Sequence, residues 1–504
     1  MKTALHQNRT ERLLMLKRIF TASAYTLVFI LGGLAVFIFA DLVISLKQAD
    51  LNPWHTIELS REFDANMEET VDWNGYLELE QKLFDELDSY RQAITTSIQL
   101  ESSRYIDGGN RFERRLKSDW NRSYKLDTDN PTGVALVVHG LSDSPYSMRS
   151  IAQALNNNGV IVYGLRLPGH GTLPSSLDTV AWRDWLAAVR IADRHIRHQH
   201  AGLPYFYAGY STGAALGIKL TLDAIAEDRP IPDQLFLLSP ALGVSVLARL
   251  ANLQRILSHL DTFSKARWVD VLPEYDPYKY NSFTKNAGRQ ISLVISQIYA
   301  DIDSLQQSGD ARQLPPIISF QSLVDATVST TDLVDKLYAV INNKKSELVL
   351  FDVNQMSYFK DLISYDPDAV IQALNQLPAS DFRLTLITNR NDFTPEVKET
   401  SWLISANELS ERPLALAWPE EVYSLSHTSL PFPADDPVYG YDVTDAQGNE
   451  ILTLGNLSIR GEKGVLTVRA GDLLRLRSNP FYTYIEQRIM EAIVTHPPDQ
   501  AQPN

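Results

Sequence analysis

Short apolar runs alternate with helical patterns from Gly133 to Leu242, and this rhythm constrains the fold more than any other feature of the chain. "VALVVHG" (134–140) is a continuous β-branched run, typical of a strand buried on both faces. "IAQALNNNG" (151–159) is a helical pattern that ends at a glycine. Strands that alternate with helices predict βαβ units, and therefore an α/β fold with a mostly parallel sheet covered by helices on both faces.

The second half of the chain continues this pattern after an interruption. Residues 246–312 are helical and rich in aromatic side chains, which indicates a helical cap inserted into the fold. Residues 437–480 alternate short apolar runs with turn residues and predict an extra β-hairpin insertion near the C-terminus. Further strands are predicted at 315–325, 346–353, 382–389 and 412–418, and a closing helix at 481–494.

Composition excludes several classes of protein. The chain has 504 residues and a formal net charge of −15, so the clustered basic surface that nucleic acids require is not expected. It contains no cysteine, which removes disulfides, thiolate catalysis and cysteine-ligated zinc together. No metal or cofactor motif is found, and the oligomeric state is left open.

The N-terminal region predicts a single membrane crossing. Residues 19–40 carry no charge, and at ~1.5 Å per helical residue they cover roughly 33 Å, enough for a bilayer core of about 30 Å. Five basic residues precede this run against a single acid, so the N-terminus is expected in the cytoplasm and the catalytic part outside it, in the periplasm if the source is a Gram-negative bacterium. The alternative is a cleavable signal peptide, whose apolar core is normally shorter.

These patterns divide the chain into six segments. Residues 43–125 are polar and acidic with helical spacing, which indicates an extracytoplasmic helical spacer able to pack on the main domain. The segments are a cytoplasmic basic segment (1–18), a transmembrane anchor (19–42), the spacer (43–125), the first part of the α/β core (126–245), the cap (246–312) and the second part of the core with its insertions (313–496).

A candidate nucleophile lies in "GYSTG" (209–213), which has the G-x-S-x-G pattern of a nucleophile elbow. An apolar strand pattern ends at Tyr210 and a helical pattern begins at Thr212, so Ser211 is expected at the sharp turn between them. A serine hydroxyl attacks only when a base takes its proton and a second group orients that base. Ser211 therefore needs a histidine and a carboxylate elsewhere in the chain.

His427 is the candidate base. In this architecture the histidine follows the nucleophile with room for further strands, which leaves His427 and His496. His427 lies in "VYSLSHTSLPFP", a loop after a predicted strand, whereas His496 lies in a proline-rich tail. The histidines at 195, 198 and 200 form a basic run at a helix end and are interpreted as solvated polar residues.

Two aspartates are candidates for the acid, because Asp325 and Asp392 both follow predicted strands. An open α/β sheet keeps its chemistry at such strand ends. Asp325 is preferred since "VDATV" leads directly into a helix. The oxyanion hole is expected from the backbone N–H groups of Thr212 and of Leu141, the latter in the loop "VVHGLSDSP" (137–145).

Together these pieces resemble the α/β-hydrolases, in particular the monoacylglycerol lipase, lysophospholipase and carboxylesterase branch. The matching stretches occur in the order of that family: "HGLSDSP" (139–145), "LPGHGTLP" (167–174), "GYSTGA" (209–214), "LVDATV" (323–328) and "SLSHTSLP" (424–431). In that family the aspartate followed by a valine-containing turn is the triad acid, which supports Asp325. The separation of 102 residues between Asp325 and His427 is several times the usual gap and predicts inserted elements.

The sequence therefore predicts a membrane-anchored serine hydrolase with the triad Ser211, His427 and Asp325. A small-molecule or lipid ester is the expected substrate, cleaved through an acyl-enzyme. A thioesterase, an acyltransferase, a serine aminopeptidase and a non-catalytic membrane-tethered scaffold are the alternatives, because fold and triad do not fix the leaving group.

Overall fold

The computed structural model of the chain describes most of its length. It covers residues 20–97, with short gaps between 27 and 46, and then 103–105, 118–243, 261–357, 381–403, 408–445, 447–457 and 470–494. The predicted cytoplasmic segment (1–18) and His496 lie outside the described residues.

Within these residues a ten-stranded sheet forms the centre of the fold. Its order is β1-β3-β2-β4-β5-β8-β9-β10-β11-β12, and the strands from β3 to β10 in that order are parallel to one another. The strands are β1 (Tyr124–Leu126), β2 (Gly133–Val138), β3 (Val160–Leu165), β4 (Tyr205–Tyr210), β5 (Gln234–Leu238), β8 (Ile317–Ser322), β9 (Asn342–Phe351), β10 (Asp381–Asn389), β11 (Glu396–Leu403) and β12 (Glu408–Ala417). Two short strands, β6 (Trp268–Asp270) and β7 (Phe283–Thr284), pair separately.

Helices cover both faces of this sheet. The principal helices are α1 (Trp73–Ser97), α2 (Arg149–Asn157), α3 (Trp182–Gln199), α4 (Thr212–Ala226), α5 (Lys285–Ser308) and α6 (Tyr482–Val494). Helices α3, α4 and α5 pack in one hydrophobic cluster, whereas α2 and α6 pack in the cluster on the opposite face. Every residue of β2 to β5 is buried, as continuous apolar runs between two helical layers require. The predicted α/β fold with a mostly parallel sheet is thus confirmed.

The insertion between Asp325 and His427 extends the sheet. Strands β9 and β10 continue the parallel order, and β11 and β12 then add two antiparallel strands at the edge. Strand β11 was not predicted, because "EVKETSWL" carries three charges and has apolar residues only at Val397, Trp402 and Leu403, so it shows no regular alternation. In the predicted hairpin region, the described residues include one antiparallel bridge, between Thr444 and Glu450, while 458–469 lie outside them.

The region predicted as a helical cap contributes to the core. Helix α5 buries a row of aliphatic side chains (Ile291, Val294, Ile295, Ile298 and Ile302) in the same cluster as α4. Its N-terminal turn and the preceding residues 279–283 reach the carboxyl edge of the sheet, where they line the cavity described below. Residues 244–260 of the predicted cap lie outside the described part.

The region predicted as a spacer is attached to the main domain by a buried ionic network. Trp73 and Tyr76 of α1 lie in the main hydrophobic cluster. Arg166, 1% exposed, follows β3 and donates to Glu80 of α1 at 3.0 Å and to Glu62 at 2.9 and 3.2 Å. A guanidinium without water is stable only when its charge and its N–H groups are matched, so residues 62–80 form part of the folded domain.

The predicted transmembrane anchor, residues 19–42, falls partly on positions outside the described part of the chain. Among the residues that are described, none of the helices has the length and apolar character needed to span a membrane.

Candidate active site

Ser211 lies at a sharp turn between β4 and α4, as a nucleophile elbow requires. Its backbone has φ 53° and ψ −110°, a conformation that non-glycine residues rarely adopt, and its N–H donates to the carbonyl of Leu238 at 2.9 Å. The flanking glycines are required sterically, since a Cβ at Gly209 would lie 2.5 Å from the Ala214 nitrogen and one at Gly213 2.1 Å from the Val138 oxygen. The turn holds the Ser211 hydroxyl at the carboxyl edge of the sheet.

His427 reaches this hydroxyl from the loop after β12. Its Nε2 lies 3.1 Å from Oγ of Ser211, and the Tyr210 hydroxyl donates to its backbone carbonyl at 3.2 Å. Both side chains are nearly buried, with Ser211 7% and His427 5% exposed. The distance is within hydrogen-bond range, so the imidazole is placed to take the hydroxyl proton.

Asp325 contacts the other nitrogen of the same ring. Its Oδ2 lies 2.8 Å from Nδ1 of His427, while its Oδ1 accepts the backbone N–H groups of Thr327 at 2.8 Å and Val328 at 3.1 Å. The second candidate, Asp392, follows β10, and β10 is separated from the Asp325 strand β8 by β9. The structure thus brings together Ser211, His427 and Asp325, and leaves Asp392 two strands away.

The surroundings of Asp325 keep its carboxylate ionised. Burial raises the pKa of Asp325, but the His427 ring and the two backbone donors outweigh burial and leave this pKa below its ordinary value. An ionised, fixed carboxylate at Nδ1 selects the tautomer in which Nε2 faces the serine.

The two predicted oxyanion donors lie beside Ser211. The backbone N–H groups of Leu141 and Thr212 make no hydrogen bond to any described residue, and both residues line the cavity that contains Ser211. The loop that carries Leu141 is held from below by His139, whose Nδ1 is 2.8 Å from the Gly140 carbonyl and whose Nε2 accepts the N–H of Leu167 at 3.0 Å. Burial lowers the pKa of His139 well below its ordinary value, which keeps the ring neutral for these two contacts.

A cavity of about 270 Å³ opens in front of the three side chains. Part of its wall is apolar, from side chains of the oxyanion loop, the segment after β5, strand β7, helix α5 and the Asp325 loop: Leu141, Ala241, Phe283, Ile291 and Val328. The cavity also contains Asp143, Lys279 and Arg475.

Sequence reasoning did not identify Lys279 or Arg475. Lys279 is the single cation in the aromatic stretch "YDPYKYNSF" (275–283), a signal that could have singled it out. Arg475 lies within the predicted C-terminal insertion (437–480) and had no local signal. Of the other histidines, His195 stacks on Trp73 away from this cavity. In the part of the chain that the structure describes, no group of three or more His, Asp or Glu side chains is arranged to hold a metal ion.

Part of the chain is similar to known proteins. Residues 129–337 match a family model described as serine aminopeptidase, S33 (Hydrolase_4); the match includes Ser211 and Asp325 and ends before His427. A thermostable monoacylglycerol lipase of Bacillus sp. (strain H-257) is 25% identical over 249 residues, which cover 48% of this chain and 89% of that lipase.

Two solved structures are similar at lower identity. A structure from work on the metagenome-derived lipolytic enzymes LipS and LipT has 20% identity and a TM-score of 0.37, and covers 50% of this chain and 98% of its own. The monoacylglycerol lipase of Paleococcus ferrophilus has 19% identity and a TM-score of 0.35, and covers 46% of this chain and 88% of its own.

The sheet order, the sharp turn at Ser211 and the match of residues 129–337 to the family model support an α/β-hydrolase fold. The mostly parallel sheet is extended at one edge by antiparallel strands. The similarity to the monoacylglycerol lipase likewise supports a hydrolase.

Proposed function

We propose that the chain is a serine hydrolase that cleaves carboxylic esters through the triad Ser211, His427 and Asp325. The observation that carries this proposal is the continuous contact from Ser211 Oγ to His427 (3.1 Å) and from His427 to Asp325 (2.8 Å), with two backbone N–H groups beside the serine that bind no other described residue. A scaffold protein has no need of this combination.

In the proposed mechanism His427 takes the proton of Ser211 as its oxygen attacks the ester carbonyl. The backbone N–H groups of Leu141 and Thr212 bind the oxyanion of the tetrahedral intermediate. His427 then gives its proton to the leaving alcohol, which departs and leaves an acyl-enzyme. Water, deprotonated by His427, attacks the acyl carbon, and the acid product is released from Ser211. Asp325 holds the imidazole and stabilises its cation throughout.

An ester fits the cavity better than the peptide named in the description of the family model. Recognition of a free amino terminus requires an unpaired carboxylate, but Asp143 of the cavity lies 3.4 Å from the Lys279 ammonium. The apolar part of the wall, with Phe283 and Ile291, suits an acyl group. The similarity to a monoacylglycerol lipase also favours a lipid-like ester.

Covalent labelling by a fluorophosphonate tests the serine mechanism. We expect one adduct, on Ser211, that can be located by mass spectrometry after digestion, because only an activated serine attacks this probe at neutral pH. Heat-denatured protein is the control and should not react. Folded protein that carries no adduct at Ser211 would overturn the proposal. Parallel assays with p-nitrophenyl esters and aminoacyl p-nitroanilides should show turnover of the esters.

We also propose that residues 19–42 anchor this hydrolase to a membrane, with residues 1–18 in the cytoplasm and the catalytic part outside it. Support comes from the uncharged run, from the basic residues before it, and from the exposure of its described large apolar side chains. These side chains are 67–82% exposed: Phe20, Tyr25, Val28, Phe29 and Val36. Transfer of such side chains from water to lipid is favourable.

Alkaline carbonate extraction of membranes from expressing cells tests this anchor. The full chain should stay in the membrane pellet, whereas a variant with Val28→Arg and Val36→Arg should be released, because a charge at the centre of a spanning helix is costly. Release of the unaltered chain into the supernatant would refute the anchor and leave the hydrolase proposal untouched.

A further inference from the structure

The net charge of the side chains that line the cavity is opposite in sign to the net charge of the whole chain. The chain carries a formal charge of −15, yet the charged residues that line the cavity are two cations, Lys279 and Arg475, and one acid, Asp143. The ionised Asp325 lies behind His427 and does not line the cavity. Cations that outnumber acids at the cavity wall favour the binding of anions there.

Asp143 and Lys279 form a pair. The Lys279 ammonium lies 3.4 Å from Oδ1 of Asp143, and the Lys279 side chain remains 30% exposed. Burial raises the pKa of Asp143, and the Lys279 ammonium opposes this effect. An ammonium group has three N–H donors, so Lys279 can contact a further acceptor at the cavity surface while it is paired with Asp143.

Arg475 has no such acid. Its guanidinium donates to the Thr327 hydroxyl at 3.2 Å, and among the described residues no carboxylate lies within salt-bridge distance of it. Arg477, two residues further along, shows the contrast: it lies 4.0 Å from Oδ2 of Asp276 and donates to the Tyr275 hydroxyl. Within the described part of the chain, the guanidinium of Arg475 thus has no carboxylate partner, and its side chain is partly buried at the cavity.

Arg475 lies close to the residues of the proposed triad. Thr327, which it contacts, donates its backbone N–H to Asp325, and Thr327, Thr428 and His427 line the same cavity as Arg475. A planar guanidinium offers two parallel donors to a carboxylate or a phosphate. An anionic group of a bound ester thus has a matching partner in the cavity.

We infer that the preferred substrates are esters that carry a second, anionic group, a phosphate or a carboxylate, which Arg475 and Lys279 bind. This inference rests on the proposed ester hydrolysis and adds the charge of the substrate to it. The apolar wall around Phe283 receives the hydrocarbon part, while the two cations hold the anion.

A series of butyryl esters with one acyl group tests the inference. The probes are butyrylglycerol, butyrylglycerol phosphate, butyrylglycerate and the cationic butyrylcholine. We expect kcat/KM for the anionic esters to exceed that for butyrylglycerol by about tenfold or more, mainly through KM, because a charge-assisted contact is stronger than a neutral one. The preference should fall in 0.5 M NaCl. Whichever of the two anionic esters has the larger kcat/KM relative to butyrylglycerol shows whether the site prefers a phosphate or a carboxylate.

Variants at Arg475 separate charge recognition from support of the Asp325 loop. Arg475→Gln should lower the ratio of anionic to neutral turnover about tenfold. Arg475→Lys should keep most of this ratio. Arg475→Glu should reverse the preference, so that kcat/KM for butyrylcholine exceeds that for the anionic esters. A damaged fold cannot produce such an increase for the cationic ester. Lys344→Gln removes an exposed cation on β9, and is the matched control that should leave the ratio unchanged.

Two results would overturn the inference. One is an anionic to neutral ratio at or below one in the unaltered protein. The other is an equal loss for both kinds of ester in Arg475→Gln, which would mean that the arginine supports the Thr327 loop. Either result, obtained while neutral esters are still cleaved at a labelled Ser211, leaves the proposed function standing. Absence of labelling and of all ester cleavage refutes the proposed function itself.

Discussion

Replacement of Ser211 by alanine is expected to lower kcat for an ester substrate by about 10⁴- to 10⁶-fold, because the covalent route to the acyl-enzyme is lost. The Ser211 hydroxyl forms the hydrogen bond to His427, so removal of one oxygen removes the nucleophile and keeps the cavity. Stopped-flow or steady-state assays with p-nitrophenyl butyrate give the rate, and thermal unfolding shows whether the variant is folded.

The matched control for this variant is Ser239→Ala. Ser239 follows the neighbouring strand β5, has a positive φ of 41° and is 0% exposed, so it resembles Ser211 in backbone and burial. Its Oγ has no hydrogen-bond partner among the described residues. Turnover within about twofold of the unaltered enzyme is expected for Ser239→Ala; comparable losses in both variants would show that strain at strand ends, and not a nucleophile, explains the effect.

Replacement of Asp325 by asparagine is expected to lower kcat by about 10⁴-fold with little change in the fold. Asparagine keeps the size of the side chain, but it can present an N–H to the imidazole, which selects the wrong tautomer and cannot stabilise the imidazolium. The measurement is kcat for p-nitrophenyl butyrate, with the melting temperature as the test of folding.

Asp392→Asn is the control for the acid, since both aspartates follow strands of the sheet. We expect it to retain turnover within about threefold, because β9 separates the strand before Asp392 from the strand before Asp325. A 10⁴-fold loss in Asp392→Asn together with an active Asp325→Asn would reverse the assignment of the acid.

The sequence was most informative where the cause of structure is local. The buried apolar runs of β2 to β5 and the glycine-flanked turn at Ser211 are dictated by neighbouring residues, and they were predicted. The preference for Asp325 over Asp392 rested on the local stretch "VDATV" and on the family resemblance, whereas the distance of each aspartate from Ser211 depends on the order of strands in the sheet. Strand order depends on long-range pairing that no single stretch of sequence records.

The cations of the cavity illustrate the same limit. Lys279 and Arg475 are 196 positions apart in the chain. They come together at the cavity only through the fold of the segments between them. Strand β11 was missed for a related reason: its sequence has few apolar residues, and its alternating burial arises from pairing with β10 and β12. A local sequence pattern indicates how deeply a segment is buried. Which other segments it packs against depends on the whole fold.

The ion pairs of Arg166 connect residues 62–80 to the sheet, so the folded domain extends N-terminal to residue 126. A polypeptide that began at the predicted core boundary, residue 126, would lack Glu62 and Glu80 and would retain a guanidinium that is 1% exposed. Loss of one partner from a buried ion pair costs about 3–5 kcal/mol, a large part of the total stability of an ordinary domain. The folded α/β domain therefore begins well before its first strand, and helix α1 belongs to the same domain as the candidate site.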